Sequence, residues 1–471
     1  MKQLTGLDAS WIYTESTRTP QHVTGLYVYD PSKVEGGVSF DDIVEMFTER
    51  LNRAPTFRRK LVRVPLDIDH PYWVQADDFD IEFHLRQLAL PKPGDWEQLC
   101  IQVGRLHARP MDLRRPPWEV TVIEGINGVE GLPKGCFAIA WKTHHSAIDG
   151  VSGVEIVNAV HDSEPDPKPE PGDDIDDWRP EEPPSTMGMT ARAAAHMALN
   201  PFKAARSMAR VVPSLAPLVG QARRGELPPM LVPPTRFNVE IGTRRVFDGR
   251  QVSLAEVKRW RNAVEGVTVN DAMLTIVGGA MMRYLDDKGE LPEASLTTII
   301  PVSTRTPEQM GTAGNQVTAV PASLFTDIVD PLERMAAVRV GTMQSKELAN
   351  GVGAEALSQV SEFTPGLLVG LGSRATARLA RRVPFNTAVT NVPGSPVPLY
   401  LSGAEMVQQW GMGPNLHGMA LMHAICSYRG ILMIAFNGCG DAIPDPRFYA
   451  DCLQESIDEI SAVVEKRGAA T

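Results

Sequence analysis

The sequence predicts a mixed α/β fold built as two halves, and three features carry that expectation. At 471 residues, the chain is longer than one hydrophobic core ordinarily supports. Residues 163–185, SEPDPKPEPGDDIDDWRPEEPPS, are too rich in proline and acid to bury a core and read as a linker. On both sides of it, runs of strand length mix with stretches of helical period, without the strict alternation of a parallel α/β sheet. The expected organisation is a first half at 1–162, a linker and crossover at 163–234, and a second half at 235–471.

In the first half, residues 23–29 and 120–124 alternate apolar and polar positions as strands do, while 40–54 and 96–108 carry helical spacing. Residues 136–141, CFAIAW, form a short apolar run of strand length, and 151–160 read as a helix. After the linker, residues 186–225 are rich in alanine and methionine and contain no Asp or Glu. Arg192, Lys203, Arg206, Arg210, Arg223 and Arg224 make this segment basic. Such a segment suits either an amphipathic helix lying on anionic lipid or an ordinary crossover packed on the protein, with Pro201 and Pro213 interrupting it. In the second half, 254–264 and 272–285 read as helices and 296–302 and 431–436 as strands.

Composition narrows the function. Apolar residues make up 43% and charged residues 22%, as in soluble globular proteins. With 46 basic and 57 acidic residues the formal charge is −11, which argues against nucleic acid as a partner. The five cysteines, at 100, 136, 426, 439 and 452, have no metal-ligand spacing, and free buried thiols in a reducing cytoplasm are expected. No metal site is expected. The first residues lack a signal-peptide core. The charge-free stretch 406–428 contains Gln408, Gln409, Pro414, Asn415, His417 and His423, so no membrane span is expected there.

The most informative segment is His144-His145-Ser146-Ala147-Ile148-Asp149-Gly150, placed where the strand at 136–141 gives way to the helix at 151–160. Loops on such a junction carry chemistry on a rigid frame. Histidine, with an ordinary pKa of about 6.5, can take a proton from an attacking hydroxyl and return it to a leaving group. His145 is assigned that role and His144 a supporting one, since adjacent residues on a turn point apart. A satisfied structural histidine pair is the competing account of HH alone. Asp149 either orients the imidazole or pairs with an arginine to fix the loop; the second is favoured because no G-x-S-x-G elbow supplies a nucleophile. Gly150 lets the backbone turn tightly.

These residues match the HHxxxDG signature of CoA-dependent acyltransferases, and further blocks make the chain resemble the bacterial wax ester synthase/diacylglycerol acyltransferase family nearly end to end. The blocks include LTGLDASW at 4–11, RPMD at 109–112, PPWE at 116–119, TRFN at 235–238, VNDAML at 269–274, PVSTR at 301–305, GNQ at 314–316, TNVPG at 390–394 and SYRG at 427–430. The resemblance implies two chloramphenicol-acetyltransferase-like halves in pseudo-symmetric arrangement with a channel between them. It further implies His145 as general base, with Asp149 and Gly150 shaping its loop. Where that family has Pro-Leu-Trp this chain has Pro116-Pro117-Trp118, a departure that touches acceptor preference.

Pro116, Trp118, Asn270, Asp271, Ser303 and Asn391 are the candidate substrate-binding residues. Each also has a plainer account: core packing for Trp118, a helix N-cap for Asn270-Asp271, and turn chemistry for Asn391. Ser303, Thr304, Asn270 and Asn391 are unranked candidates for oxyanion donors.

The implied activity is transfer of a long acyl chain from acyl-CoA, a co-substrate rather than a cofactor, to diacylglycerol, giving triacylglycerol, with fatty alcohols as further acceptors. No cofactor and no covalent acyl-enzyme are expected. The expected setting is cytoplasmic, with peripheral contact to a membrane or lipid droplet. The alternatives are a CoA-dependent acyltransferase for another lipid or polyketide hydroxyl, and a non-catalytic lipid-droplet binding protein.

Overall fold

The computed structural model describes residues 2–148, 152–167, 179–182, 184–196, 198, 232–303, 317–351 and 383–469. Fifteen strands occur among them in chain order: β1 Lys2–Gln3, β2 His22–Asp30, β3 Arg59–Val62, β4 Tyr72–Gln75, β5 Leu85–Ala89, β6 Trp118–Ile126, β7 Cys136–His144 and β8 Arg245–Ser253. They continue with β9 Thr297–Ser303, β10 Val317–Ser323, β11 Thr387–Pro393, β12 Tyr400–Leu401, β13 Ala404–Met412, β14 Leu421–Tyr428 and β15 Ile431–Cys439.

They assemble into two six-stranded mixed sheets and one small sheet. The first large sheet runs β12-β13-β2-β7-β6-β5, with only β5 and β6 parallel. The second runs β10-β9-β11-β14-β15-β8, with β11 parallel to both β9 and β14. The predicted mixed α/β class with two sheet-rich halves is what forms.

The linear boundary at 235 does not divide the structure cleanly. Strands β12 and β13 come from the second half in sequence, yet β13 pairs antiparallel with β2 and extends the first sheet. The residues of 404–412 do not say which sheet will take them, because that choice depends on edge partners far away in the chain.

Strand β7 is central and buried along its whole length, as its continuous apolar run predicts. It is longer than the run suggests and extends to His144, because Lys142, Thr143 and His144 keep pairing with β2 and β6. The helix expected at 40–54 ends earlier, at Glu49. Arg50 caps it and turns its guanidinium onto the Val160 carbonyl and the Asp162 carboxylate, and Pro55 disfavours helix at Ala54. The helices Trp96–His107 and Leu254–Ala263 form where periodicity places them, whereas the helix expected at 272–285 runs from Val269 to Asp287, because Thr268 rather than Asn270 or Asp271 is its N-cap and Asp271 completes a capping box inside its first turn.

Two close approaches tie β8 of the second sheet to the helix Trp96–His107 of the first half and to β13 of the first sheet. The helix Trp96–His107 crosses β8 at Gly104, where a Cβ would stand 2.8 Å from the Arg245 carbonyl oxygen. Gly249 of β8 admits the Trp410 indole, which a Cβ would meet at 2.6 Å. Phe247, Tyr428, Met433 and Ala435 of the second half accordingly share one apolar core with Trp118, Trp141 and Leu99 of the first.

Residues 186–196 are helical, and Met189 and Ala193 bury against Val64 and Tyr72 while His196 bonds the Asp69 carboxylate. The start of the basic segment is therefore packed on the protein. Its continuation at 199–225 lies outside the described residues. Among the described residues no helix is long and apolar enough to cross a membrane, and 406–428 is occupied by β13 and β14. All five cysteines are free and buried, as expected.

Candidate active site

The paired histidines sit where β7 ends and a single 3-10 turn, His145–Ala147, begins. Backbone bonds fix both. The His144 amide donates to the Pro117 carbonyl at 2.9 Å, and the His145 amide donates to the Gln21 carbonyl at 2.8 Å. Pro116 and Pro117 are buried at the entrance to β6, so this block clamps the histidine strand.

The two rings have different surroundings. His144 is fully buried, and the Ser146 amide donates to its Nδ1 at 3.2 Å, with the Ser146 hydroxyl 2.7 Å from the same nitrogen. A backbone N–H can only donate, so Nδ1 is the acceptor and the proton of the neutral ring resides on Nε2. That Nε2 faces the Glu15 carboxylate at 3.7 Å, too far for a hydrogen bond. Burial pushes the His144 imidazole down to about 3, and His145 adds to the effect. The same burial raises the Glu15 carboxyl above its ordinary value.

His145 is half-buried and lies against the indole of Trp11 in a parallel stack, with centroids 3.9 Å apart and planes 16° from parallel. Trp11 is carried by the helix Gly6–Thr14, whose start is capped by Thr5 accepting from the Asp8 amide. The Nδ1 of His145 is buried without a hydrogen bond. Burial pushes this imidazole down to about 4, with a contact to its own backbone pulling partly back. The ring is neutral at physiological pH, as a general base must be.

Beneath the turn lies a buried polar network that spans the two halves. His22, opposite His144 in the β2–β7 ladder, donates from Nε2 to the His107 carbonyl at 2.8 Å. His107 donates from Nε2 to the Gly413 carbonyl at 3.1 Å, so its Nδ1 accepts from Thr24 at 2.7 Å. Asn437 of β15 closes the network by donating to Gly413 and Asn415 and accepting from the Gly413 amide. Lys142, also buried, pairs with Glu119 at 3.2 Å and donates to the Arg109 carbonyl.

The structure brings together only part of the predicted set. Asp149 and Gly150 lie outside the described residues. Trp118 is in the core, packed against Phe47, Phe57 and His84 with its indole N–H donated to the Phe57 carbonyl. It is a core tryptophan rather than a ligand wall. Asp271 is also structural: it forms a capping box with Thr268, accepts from the Thr342 hydroxyl at 2.7 Å and lies 3.6 Å from Arg339. Asn270, beside it in the first turn of that helix, is half-buried.

Ser303 and Asn391 lie toward the C-terminal ends of the neighbouring parallel strands β9 and β11. Asn391 is exposed, and its strand β11 belongs to the second large sheet whereas β7 belongs to the first. Thr304 is outside the described residues. Sequence reasoning missed Trp11, Glu15 and Gln21 as site residues; the only signal was that 4–11 forms one of the resemblance blocks. A cleft of about 210 Å³ on the seam between the halves is lined by Trp96, Gly249, Arg250 and Trp410, and His145 is not among its lining residues.

Two mixed sheets joined by an exchanged strand, with a paired-histidine turn at the end of a buried central strand, define the acyltransferase fold class. The same fold occurs in a wax ester synthase/diacylglycerol acyltransferase from Marinobacter aquaeolei VT8, with TM-score 0.69 and 25% identity over 99% of this chain and 100% of that one. A trichothecene 15-O-acetyltransferase from Fusarium sporotrichioides shares the fold at TM-score 0.57 and 11% identity, over 98% of this chain and 94% of that one.

The wax ester synthase/diacylglycerol acyltransferase catalytic domain matches residues 4–273, and the C-terminal domain of the same family matches 313–461. A Mycobacterium tuberculosis protein carrying the name diacylglycerol O-acyltransferase is 30% identical over 466 residues, covering 98% of this chain and 90% of the relative. The chain belongs to the wax ester synthase/diacylglycerol acyltransferase family, and it is an O-acyltransferase.

Proposed function

We propose that this O-acyltransferase moves a long-chain acyl group from acyl-CoA to diacylglycerol, giving triacylglycerol, with His145 as general base and no covalent acyl-enzyme. The observation that carries this reading is His145: a half-buried ring, held neutral and stacked on Trp11, on a backbone anchored by the hydrogen bond from its N–H to the Gln21 carbonyl. Neutral His145 takes the acceptor's hydroxyl proton as that oxygen attacks the thioester carbonyl. Collapse of the tetrahedral intermediate breaks the C–S bond, and the imidazolium returns the proton to the CoA thiolate. The products are the ester and free CoA, and the step needs only the two substrates. Positioned acid-base catalysis of this kind contributes about 10²–10⁴-fold.

Lipid substrates place the enzyme at a membrane or droplet surface, and the basic segment beyond residue 198, with Lys203, Arg206, Arg210, Arg223 and Arg224, is the proposed contact. Release of CoA from palmitoyl-CoA, followed with a thiol reagent, tests the acceptor. Dioleoylglycerol-dependent release is expected, with hexadecanol as a slower acceptor. Release that depends on neither alcohol refutes the assignment. Liposome pelleting of a chain lacking 199–225 tests the surface contact, and unchanged recovery with membranes rejects it.

A further inference from the structure

The Trp11–His145 stack has a chemical role beyond filling space. While the acceptor's proton is in transit, the His145 ring is a cation in a site where burial opposes charge. The titratable groups on the elements packed around the turn include His144 and Lys142 from β7, His22 from β2, Asp8 and Tyr13 from the Trp11 helix, and Glu15 at its end. Each is engaged elsewhere: His144 with Ser146, His22 with His107, Lys142 with Glu119, Asp8 with Thr5, Tyr13 with the Asp69 carbonyl, and Glu15 with the Gln21 amide and toward His144. Among the described residues none of these makes an ion pair or hydrogen bond to the His145 ring. What the ring does touch, face to face at 3.9 Å, is an indole, the aromatic surface that attracts cations best.

We propose that Trp11 is a positioning residue for the acyl-transfer step: its indole face sets the plane of the His145 ring and stabilises the imidazolium formed during proton transfer. This rests on the reading of His145 as the base. It separates Trp11 from ordinary packing, because a stabilised imidazolium exists only during the reaction and so acts on kcat, leaving KM in place.

The test uses the full-length protein as Trp11→Phe and Trp11→Leu, each also combined with His145→Ala, with dioleoylglycerol and palmitoyl-CoA as substrates and a thermal midpoint for each variant. Removing the aromatic face is expected to lower kcat about 3- to 30-fold in Trp11→Leu, with KM within about two-fold. Trp11→Phe, which keeps an aromatic face of weaker quadrupole, should fall between Leu and the native protein. In the His145→Ala background neither substitution should lower the residual rate further, because the group it serves is gone.

Native kcat in a folded Trp11→Leu protein, equal losses in Phe and Leu, or undiminished losses on top of His145→Ala each overturn the proposal. If Trp11→Leu does not fold, Trp11→Phe decides by the same kcat criterion. A fully active His145→Ala single variant defeats the base assignment itself. A dead His145→Ala beside a native-rate Trp11→Leu defeats only the role of Trp11.

Discussion

The backbone amide of His145 donates to the carbonyl of Gln21 at 2.8 Å, so the turn is held through a bond that the side chain does not make. With the neighbouring His144 amide bonded to Pro117, removal of the imidazole leaves this anchoring intact. His145→Ala should therefore lose about 10²–10⁴-fold in acyltransferase rate while its urea midpoint stays close to native. Matched kinetics and denaturation on one preparation check this, and a rate within a few-fold of native removes His145 as the base.

His144 predicts the opposite pattern. Its ring is fully buried and accepts from the Ser146 amide. Truncation leaves that N–H without its partner and opens a void, which together cost about 2–4 kcal/mol. His144→Ala should show a clearly lowered urea midpoint. A variant that matches the native midpoint but has lost activity would reassign His144 to the chemistry.

How much of this was legible in the sequence depends on how local each feature is. The strand at 136–141, the turn at the histidines and the helix expected at 272–285 are encoded by residues close together in the chain, and each forms, the helix extending further at both ends, from Val269 to Asp287. Thr268 and Asp271 are a capping-box pair readable from their spacing alone. The Trp11–His145 stack, the exchange of β13 into the first sheet and the His107–Gly413 bond each join segments far apart in sequence. Periodicity carries no information about such contacts. Trp118 shows the same limit, since an indole in the core and an indole on a substrate wall look identical in the chain.

Asp271 offers a clean separation between structure and substrate binding. Its carboxylate bonds to the Thr268 amide and hydroxyl and to the Thr342 hydroxyl. Asp271→Ala is expected to cost about 1–2 kcal/mol through the lost cap and the lost Thr342 bond, the Thr342 hydroxyl keeping its bond to the Arg339 carbonyl, with KM for both substrates unchanged. A raised KM in a protein of native stability would restore it to the substrate site.

The buried histidines set the response to acid. Burial lowers His107, His144 and His423 to about 3 and His145 and His161 to about 4, against 6.5 in the unfolded chain. The folded protein therefore keeps these rings neutral while the unfolded chain protonates. Their contribution is present in full above pH 6.5 and is lost as pH falls from there toward 3–4. Each such group changes stability by about 1.4 kcal/mol per pH unit. Half-buried Glu15 and buried Asp248, whose carboxyls are raised by desolvation, act in the other direction. Between pH 6.5 and 5.5 the five histidines together remove on the order of 5 kcal/mol, comparable with the whole stability of many domains. The urea midpoint should fall steeply across this interval, and kcat measured where the protein remains folded should show no inflection near 6.5. A flat midpoint from pH 7 to 5 would mean that the rings are hydrated, and an inflection of kcat at 6.5 would mean the same for His145 alone.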